Sequence, residues 1–306
     1  MFQFVQRRRY YFLFSALLVG AGIVAMIIST VRTGRPFLVG VDFQSGTRFE
    51  VQFAEPVSED ELRELFTSLG IGNPIVTSLG GQGLENAWQI RTEFLQPEES
   101  RAILTALEED LAPLVPDSTQ VQTVSPSVGA EVTRAAFIAV LVAAVIILVY
   151  IMISFRQVPH PFRYGATAVI AMLHDIAIIF GFIAIAGLLF GWEVDALFLT
   201  AVLTVAGFSL QDTIVVFDRI RENIGKRPLE DFETLANRSV LETIHRSLAT
   251  QLNAMFVLAA ILLFGGASIR HFIAVLFIGL ISGTYSSIFG AVPLLVAWEK
   301  HALETA

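Results

Sequence analysis

The chain has 306 residues, of which 54% are hydrophobic and only 16% charged, and its mean hydropathy is +0.67. Soluble domains carry about 25% charged residues, so this composition excludes an ordinary soluble protein and indicates a membrane protein. The net charge of −8 argues against nucleic acid as a partner. The sequence contains no cysteine, which excludes disulfides, thiolate metal ligands and thiol nucleophiles.

Six apolar stretches are long enough to cross a bilayer, which requires about 20 residues each. The first stretch follows Arg7, Arg8 and Arg9, and its length predicts an uncleaved anchor rather than a signal peptide. The predicted spans cover residues 10–31, 134–155, 163–190, 194–217, 248–265 and 272–298.

Lysine and arginine concentrate at the N-terminus and in the connections after the second and fourth spans. Cytoplasmic loops carry an excess of these residues, so both termini are predicted to face the cytoplasm. The long segment 35–129 is then extracytoplasmic. It holds 15 acidic residues against 5 Lys and Arg, so the acidity of the molecule lies there.

The extracytoplasmic segment shows a regular alternation of strand and helix patterns. Ser58 and Glu61 form a capping box for a helix ending near Gly70, and Pro97 opens a second helix that ends near Leu111. Alternating apolar residues predict strands at 38–53, 74–78, 87–94 and 119–124. The order strand, helix, strand, strand, helix, strand is that of the ferredoxin-like fold.

The predicted fold class is therefore a polytopic α-helical membrane protein with six transmembrane helices and one α+β ferredoxin-like extracytoplasmic domain. The domains expected are an N-terminal segment with the first span (1–34), the extracytoplasmic domain (35–129), a five-helix transmembrane bundle (130–298) and a cytoplasmic tail (299–306).

Two aspartates lie at membrane depth, where a charge is costly and by default indicates function. Asp212 is in the fourth span, with Ser209 one turn before it and Thr213 next to it, and Asp175 follows His174 near the middle of the third. The alternative for Asp212 is a structural hydrogen bond between helices. For His174 and Asp175 the structural alternative is as strong, because adjacent helical residues point about 100° apart.

A polar stripe on the fifth span offers a partner for Asp212. Thr243, Arg246, Thr250 and Asn253 recur at spacings of three and four, which place them on one helix face. We expect this stripe to line a hydrated half-channel, in which approach and withdrawal of Arg246 control proton binding at Asp212. The alternative is that Arg246 extends to the lipid headgroups at the membrane surface.

The sixth span contains Gly279 and Gly283 at the GxxxG spacing that allows two helices to approach closely. Thr284, Tyr285, Ser286 and Ser287 follow, and this polar run is expected to border the same hydrated region.

Several segments of the sequence resemble the SecF family of bacterial protein translocase subunits. The similar segments are GVDFQSGTRFEV (40–51), HD (174–175), AGFSLQDTIVVFDRIREN (206–223), ETIHRSLATQLN (242–253) and GTYSSIF (283–289).

The resemblance implies a proton-motive-force-driven accessory subunit of Sec export in the inner membrane, of the resistance-nodulation-division type. It implies that Asp212 carries the proton with Arg246 as its partner, and that the outer domain engages the emerging preprotein. The implied partners are SecD, the SecYEG channel and YajC. This chain has no internal repeat, whereas proton pathways of this architecture lie between two repeated halves, which also calls for a partner chain.

Two other functions fit parts of the sequence. An intramembrane aspartyl protease would pair Asp175 with Asp212 over a shared proton, although no GxGD loop surrounds Asp212. A lipid or drug exporter of the same superfamily would usually carry both halves and larger outer domains. Neither metal-ligand spacings nor phosphate-binding glycine loops occur, so no cofactor is expected. The implied role is transport, so an enzyme is not expected.

Overall fold

The computed structural model describes residues 4–72, 74–79 and 85–305; the extreme ends of the predicted N-terminal segment and cytoplasmic tail, 1–3 and 306, lie outside this description. The chain divides into two compact units. The helical unit comprises the residues up to Phe37, Ile138–Ala186 and the residues from Leu197 onward. The sheet unit comprises Leu38–Phe137 and Gly187–Ala196.

In chain order the helices are α1 (Arg8–Thr33), α2 (Val41–Gln44), α3 (Glu59–Ser68), α4 (Pro97–Asp110), α5 (Pro126–Ser154), α6 (Pro161–Phe190), α7 (Ala196–Lys226), α8 (Phe232–Phe264), α9 (Ala267–Tyr285) and α10 (Val292–Thr305). The strands are β1 (Gly46–Gln52), β2 (Ile75–Ser78), β3 (Ala87–Thr92) and β4 (Gln120–Val124). A π-helical segment, Ser286–Ala291, joins α9 to α10.

Six helical segments of the described residues are long and apolar enough to cross a membrane: one built on α1, four formed by α5, α6, α7 and α8, and one running through α9 and α10. This confirms the predicted six-span fold class. The fifth span was expected to begin at residue 248, but α8 begins at Phe232. Its first half is polar and still helical, because Asp231 caps it by accepting a hydrogen bond from the Thr234 backbone N–H at 3.3 Å.

Close contacts fix how the helices of the helical unit pack. Gly22 of α1 and Gly181 of α6 approach so closely that a Cβ on either would overlap the other's backbone. At one end of the unit, Asn223 of α7 donates hydrogen bonds to Ser239 (2.9 Å) and Glu242 (3.0 Å) of α8. These contacts set the register between α7 and α8.

The sheet unit is a four-stranded antiparallel sheet of order β2–β3–β1–β4. Core side chains of β1 and β3, such as Phe49 and Ile90, pack against Leu62, Phe66 and Leu107 of α3 and α4. The predicted ferredoxin-like order of strands and helices is thus confirmed. The predicted capping box that opens α3 is also present.

The first predicted strand, 38–53, was wrong in its first half. β1 begins only at Gly46, after the short helix α2. Gly46 has φ +133°, a conformation open mainly to glycine, and a Cβ there would overlap the carbonyl of Thr92. The segment before it pairs elsewhere, since Val39 forms a parallel bridge with Val194.

Candidate functional site

Asp212 lies in the middle of α7 and is only 3% exposed. Its carboxylate Oδ2 accepts a hydrogen bond at 2.7 Å from Gln251 Nε2 of α8. The Gln251 Oε1 atom is buried without a hydrogen-bond partner in the described part of the chain, and so is the Ser247 Oγ one turn earlier on α8. Asp212 therefore shares a buried polar site with groups that retain hydrogen-bonding capacity.

The sequence interpretation missed Gln251 and Ser247. Both belong to a row of buried polar side chains on α8 that recurs at every fourth residue, the inner row: Ser239, Thr243, Ser247 and Gln251. Spacing of four keeps residues on one helix face, so this row was available as a signal. The polar stripe predicted from the sequence also begins at Thr243. Its other members, Arg246, Thr250 and Asn253, lie on the neighbouring face of α8.

The other members of the predicted stripe form an outer row on α8. Arg246, Thr250 and Asn253 are exposed in the single chain. Thr250 donates to the Arg246 carbonyl at 3.0 Å, a bond within its own helix. Among the described residues Arg246 forms no ion pair, and the residue of α8 that contacts Asp212 is Gln251 of the inner row.

Asp175 of α6 is fully buried and is held by hydroxyl groups of three other elements. Ser209 of α7 and Ser286 of the π-helical segment donate to its Oδ2 at 2.5 and 2.6 Å, and Ser282 of α9 donates to its Oδ1 at 2.6 Å. His174 Nδ1 lies 3.1 Å from the same Oδ1. Both carboxylate oxygens of Asp175 are thus occupied within this cluster.

The π-helical segment explains why consecutive serines can both face inward. Ser286 contacts Asp175, whereas Ser287 accepts a hydrogen bond from Thr213 at 3.0 Å and donates to the Ser209 carbonyl at 3.0 Å. A π-helical turn has i to i+5 bonds and is frequent at functional sites. It brings the predicted Ser209 and Thr213 into contact with the last span.

The two glycines of the predicted GxxxG pair lie where α9 crosses α7. A Cβ on Gly279 would overlap the Val205 side chain, and one on Gly283 would lie 3.0 Å from Ser209 Cβ. Small residues are therefore needed here for Ser282 of α9 and Ser286 of the π-helical segment to reach Asp175.

The geometry defines what this site can do chemically. A carboxylate can bind and release a proton. Among the described residues Asp212 accepts the Gln251 amide hydrogen bond, whereas a carboxylate can accept about four. In the described residues there is no cluster of three His, Cys, Asp or Glu side chains that could hold a metal ion. Asp175 and Asp212 take their hydrogen bonds from different groups, an arrangement that does not favour a shared-proton pair of the protease type.

Comparison with known proteins gives consistent matches. Residues 105–301 match the family model described as protein export membrane protein SecD/SecF, C-terminal. The chain is 40% identical to the protein translocase subunit SecF of Thermobaculum terrenum, over 98% of this chain and 95% of that one.

Longer proteins of the same kind also match. The protein translocase subunit SecDF of Bacillus subtilis is 34% identical over 98% of this chain, which covers 38% of it. The crystal structure of SecDF from Thermus thermophilus, a translocon-associated membrane protein, superposes with a TM-score of 0.81 at 29% identity. That match covers 98% of this chain and 39% of the SecDF chain, so the chain spans well under half of such proteins.

Proposed function

The chain belongs to the SecF family of protein translocase subunits, and its role is in protein export; on that premise we propose that it couples proton passage to export. Protons pass through the membrane at Asp212, with Arg246 as the countercharge. Their passage drives movement of the extracytoplasmic domain, the sheet unit, which promotes transfer of the preprotein.

The observation that carries this proposal is the burial of Asp212 beside the neutral polar side chains of Gln251 and Ser247 on α8. A charged group in the membrane interior is costly, and such residues usually mark ion pathways. Asp212 is buried and accepts its bond from Gln251, a neutral group, so that protonation does not break an ion pair. One proton moving down 100 mV releases about 2.3 kcal/mol, which is enough to bias a two-state movement.

Arg246 acts in a second conformation. It is adjacent in sequence to Ser247, and successive residues of a helix point about 100° apart. A rotation of α8 by about that angle replaces the inner row with Arg246 beside Asp212. The guanidinium then favours release of the proton that was bound while Arg246 was withdrawn.

The exposed outer row on α8 supports a partner in the membrane. Arg246, Thr250 and Asn253 would be costly against lipid, and transporters of this kind place their sites between two repeated halves. Relatives named SecDF carry the matching region in a longer chain. We therefore assign SecD as the second half, and SecYEG, YajC and the translocating preprotein as further partners.

The multi-pass chain resides in the bacterial inner membrane with both termini in the cytoplasm. The argument is the distribution of Lys and Arg. They cluster in and around the connections after α5 and α7, whereas Arg270 is the basic residue near the connections after α6 and α8.

The substitution Asp212→Asn tests the proposal in membrane vesicles that contain the assembled translocase. It keeps the shape and polarity of the side chain but cannot ionise, so both proton flux and proton-driven export should fall to background. Asp218→Asn is the matched control, because Asp218 lies on the same helix and its side chain is 46% exposed. Full export by Asp212→Asn under a defined proton gradient would refute the proposal.

A further inference from the structure

The segment 187–196, called here the α6–α7 loop, comprises the last turn of α6, the connection to α7 and the first residue of α7. It belongs to the sheet unit although it joins two spanning helices. Its backbone pairs with the segment before α2. Val194 N–H donates to Leu38 O and Gly40 N–H donates to Val194 O, both at 2.8 Å, around the Val39–Val194 bridge. The sheet unit thus includes a chain segment that is covalently continuous with α7.

A buried ion pair reinforces this pairing. Glu193 of the loop has a side chain only 8% exposed, and its Oε1 lies 3.0 Å from Arg91 Nε. Gln89 donates to the same oxygen at 3.2 Å, and Arg91 also donates to Val39 O at 2.7 Å. Gln89 and Arg91 alternate with the core residue Ile90 on β3, so they lie on the face of the sheet opposite its core.

A second set of contacts reaches the first residue of α7. Asp42 of α2 accepts a hydrogen bond from the Ala196 backbone N–H at 3.0 Å, one of the N–H groups that a helix start leaves unpaired. The other oxygen of Asp42 accepts from Gln122 at 2.6 Å, and Gln122 accepts from Arg48 at 2.6 Å. Asp42 therefore ties the start of α7 to two strands, β4 and β1.

These contacts explain the GVDF part of the segment 40–51, to which the sequence analysis gave no role. A Cβ at Gly40 would lie 3.3 Å from Val194 O, so a small residue suits this position. Val41 is buried, and Asp42 caps α7. Separating the loop from the sheet would break the Glu193–Arg91 ion pair together with the backbone hydrogen bonds of Val194.

We propose that the α6–α7 loop is the coupling element of the protein: it stays docked on the sheet throughout the cycle and passes movements of α7 to the sheet unit. The proposal rests on the proposed function, because the movement begins at Asp212, sixteen residues or about 24 Å along α7 from Ala196. Docking through both backbone and side chains makes the loop and the sheet one body.

A cross-link tests whether the loop remains docked. The chain has no cysteine, so Val39→Cys with Val194→Cys introduces a single engineered pair at neighbouring positions of a parallel bridge. With SecD present in membrane vesicles, we expect equal proton flux and equal export in the oxidised and reduced states. Export that stops on oxidation and returns on reduction would overturn the proposal, because the loop would then have to detach.

A charge reversal tests whether the docking transmits movement. At pH 8, Arg91→Glu should retain proton flux but lose most export, and adding Glu193→Arg should restore export. Arg63→Glu is the matched control, because Arg63 forms an exposed pair with Glu59 in the same unit and should leave both readouts intact. The proposal fails if the Arg91→Glu variant supports as much export as the Arg63→Glu variant. It also fails if proton flux, export and the amount of protein in the membrane all fall together in the Arg91→Glu variant.

These outcomes are separable from failure of the proposed function. Asp212→Asn removes flux and export together, whereas a broken docking contact removes export alone. If Asp212→Asn retains its proton flux, the proton pathway is wrong, and the cross-link still decides whether the loop stays docked during export.

Discussion

Two buried aspartates of the spanning helices, Asp175 and Asp212, differ in their hydrogen-bond partners, and this difference supports the role proposed for Asp212. Asp175 accepts three hydroxyl hydrogen bonds from Ser209, Ser282 and Ser286. A carboxylate offers about four acceptor positions, so Asp175 is nearly saturated and suited to joining helices. Asp212 accepts a hydrogen bond from Gln251, and its carboxylate retains acceptor positions at which a proton can bind.

Gln251→Leu is predicted to impair proton-driven export without unfolding the chain. It removes a hydrogen bond to a charged group, which is worth about 1.5–3 kcal/mol. That free energy corresponds to roughly a tenfold to hundredfold fall in the export rate at a fixed proton gradient. Thr204→Val is the control, since among the described residues that hydroxyl donates within its own helix, to the Thr200 carbonyl. Equal rates in the two variants would remove Gln251 from the site.

At the scale of elements, close packing of α7 against α9 makes the serine cluster possible. Gly283 lies where a Cβ would be 3.0 Å from Ser209 Cβ, and the π-helical segment then turns Ser286 and Ser287 toward α6 and α7. A larger residue at Gly283 would separate the two helices. Ser209 and Ser286 would then lose their common acceptor, Asp175.

Gly283→Leu is predicted to lower the stability of the helical unit. Overpacking a well-packed contact costs about 1–3 kcal/mol, and here the displaced serines add lost hydrogen bonds. The melting temperature of the purified protein in detergent measures the effect. Gly20→Leu is the control, because a Cβ at Gly20 of α1 meets no atom within 4 Å. Similar melting temperatures for both variants would contradict the assigned contact.

At the scale of the whole molecule, the proposed coupling of Asp212 to the sheet unit requires that the α6–α7 loop stays docked. Burial away from water raises the pKa of Glu193 to about 7, while Arg91 and Arg48 oppose the shift and Asp195 and Glu50 add to it. The ordinary value is 4.5. Between these two values the folded chain keeps a proton that the unfolded chain has lost, so stability falls as the pH rises through about 7.

Glu193→Gln is predicted to flatten this pH dependence. In the unmodified chain the melting temperature of the sheet unit should decline between pH 5 and pH 8, and the variant should lose that part of the decline because its side chain cannot ionise. Hydrogen exchange of the β1 and β3 amides on heating follows the sheet unit specifically. Glu59→Gln, at an exposed position, should keep the slope of the unmodified chain. A retained slope in Glu193→Gln would exclude Glu193 as the titrating group.

Local patterns in the sequence determined the six spans, the strand and helix order of the sheet unit and the burial of Asp212. Each depends on residues close in the chain: apolar runs of bilayer length, period-two alternation, or a carboxylate within an apolar segment. The strand predicted at 38–53 failed because the conformation at Gly46 and the pairing of Val39 with Val194 depend on residues far along the chain.

Tertiary structure alone decided which face of α8 meets Asp212 and where the α6–α7 loop docks. On α8, the row that contains Arg246 and the row that contains Ser247 are both regularly spaced. Periodicity shows that a helix face is polar, but it does not show which helix that face contacts. Arg91 and Glu193 are likewise brought together only by folding, across a hundred residues of chain. Sequence periodicity reports local burial, whereas the choice of partner is set by packing between distant segments.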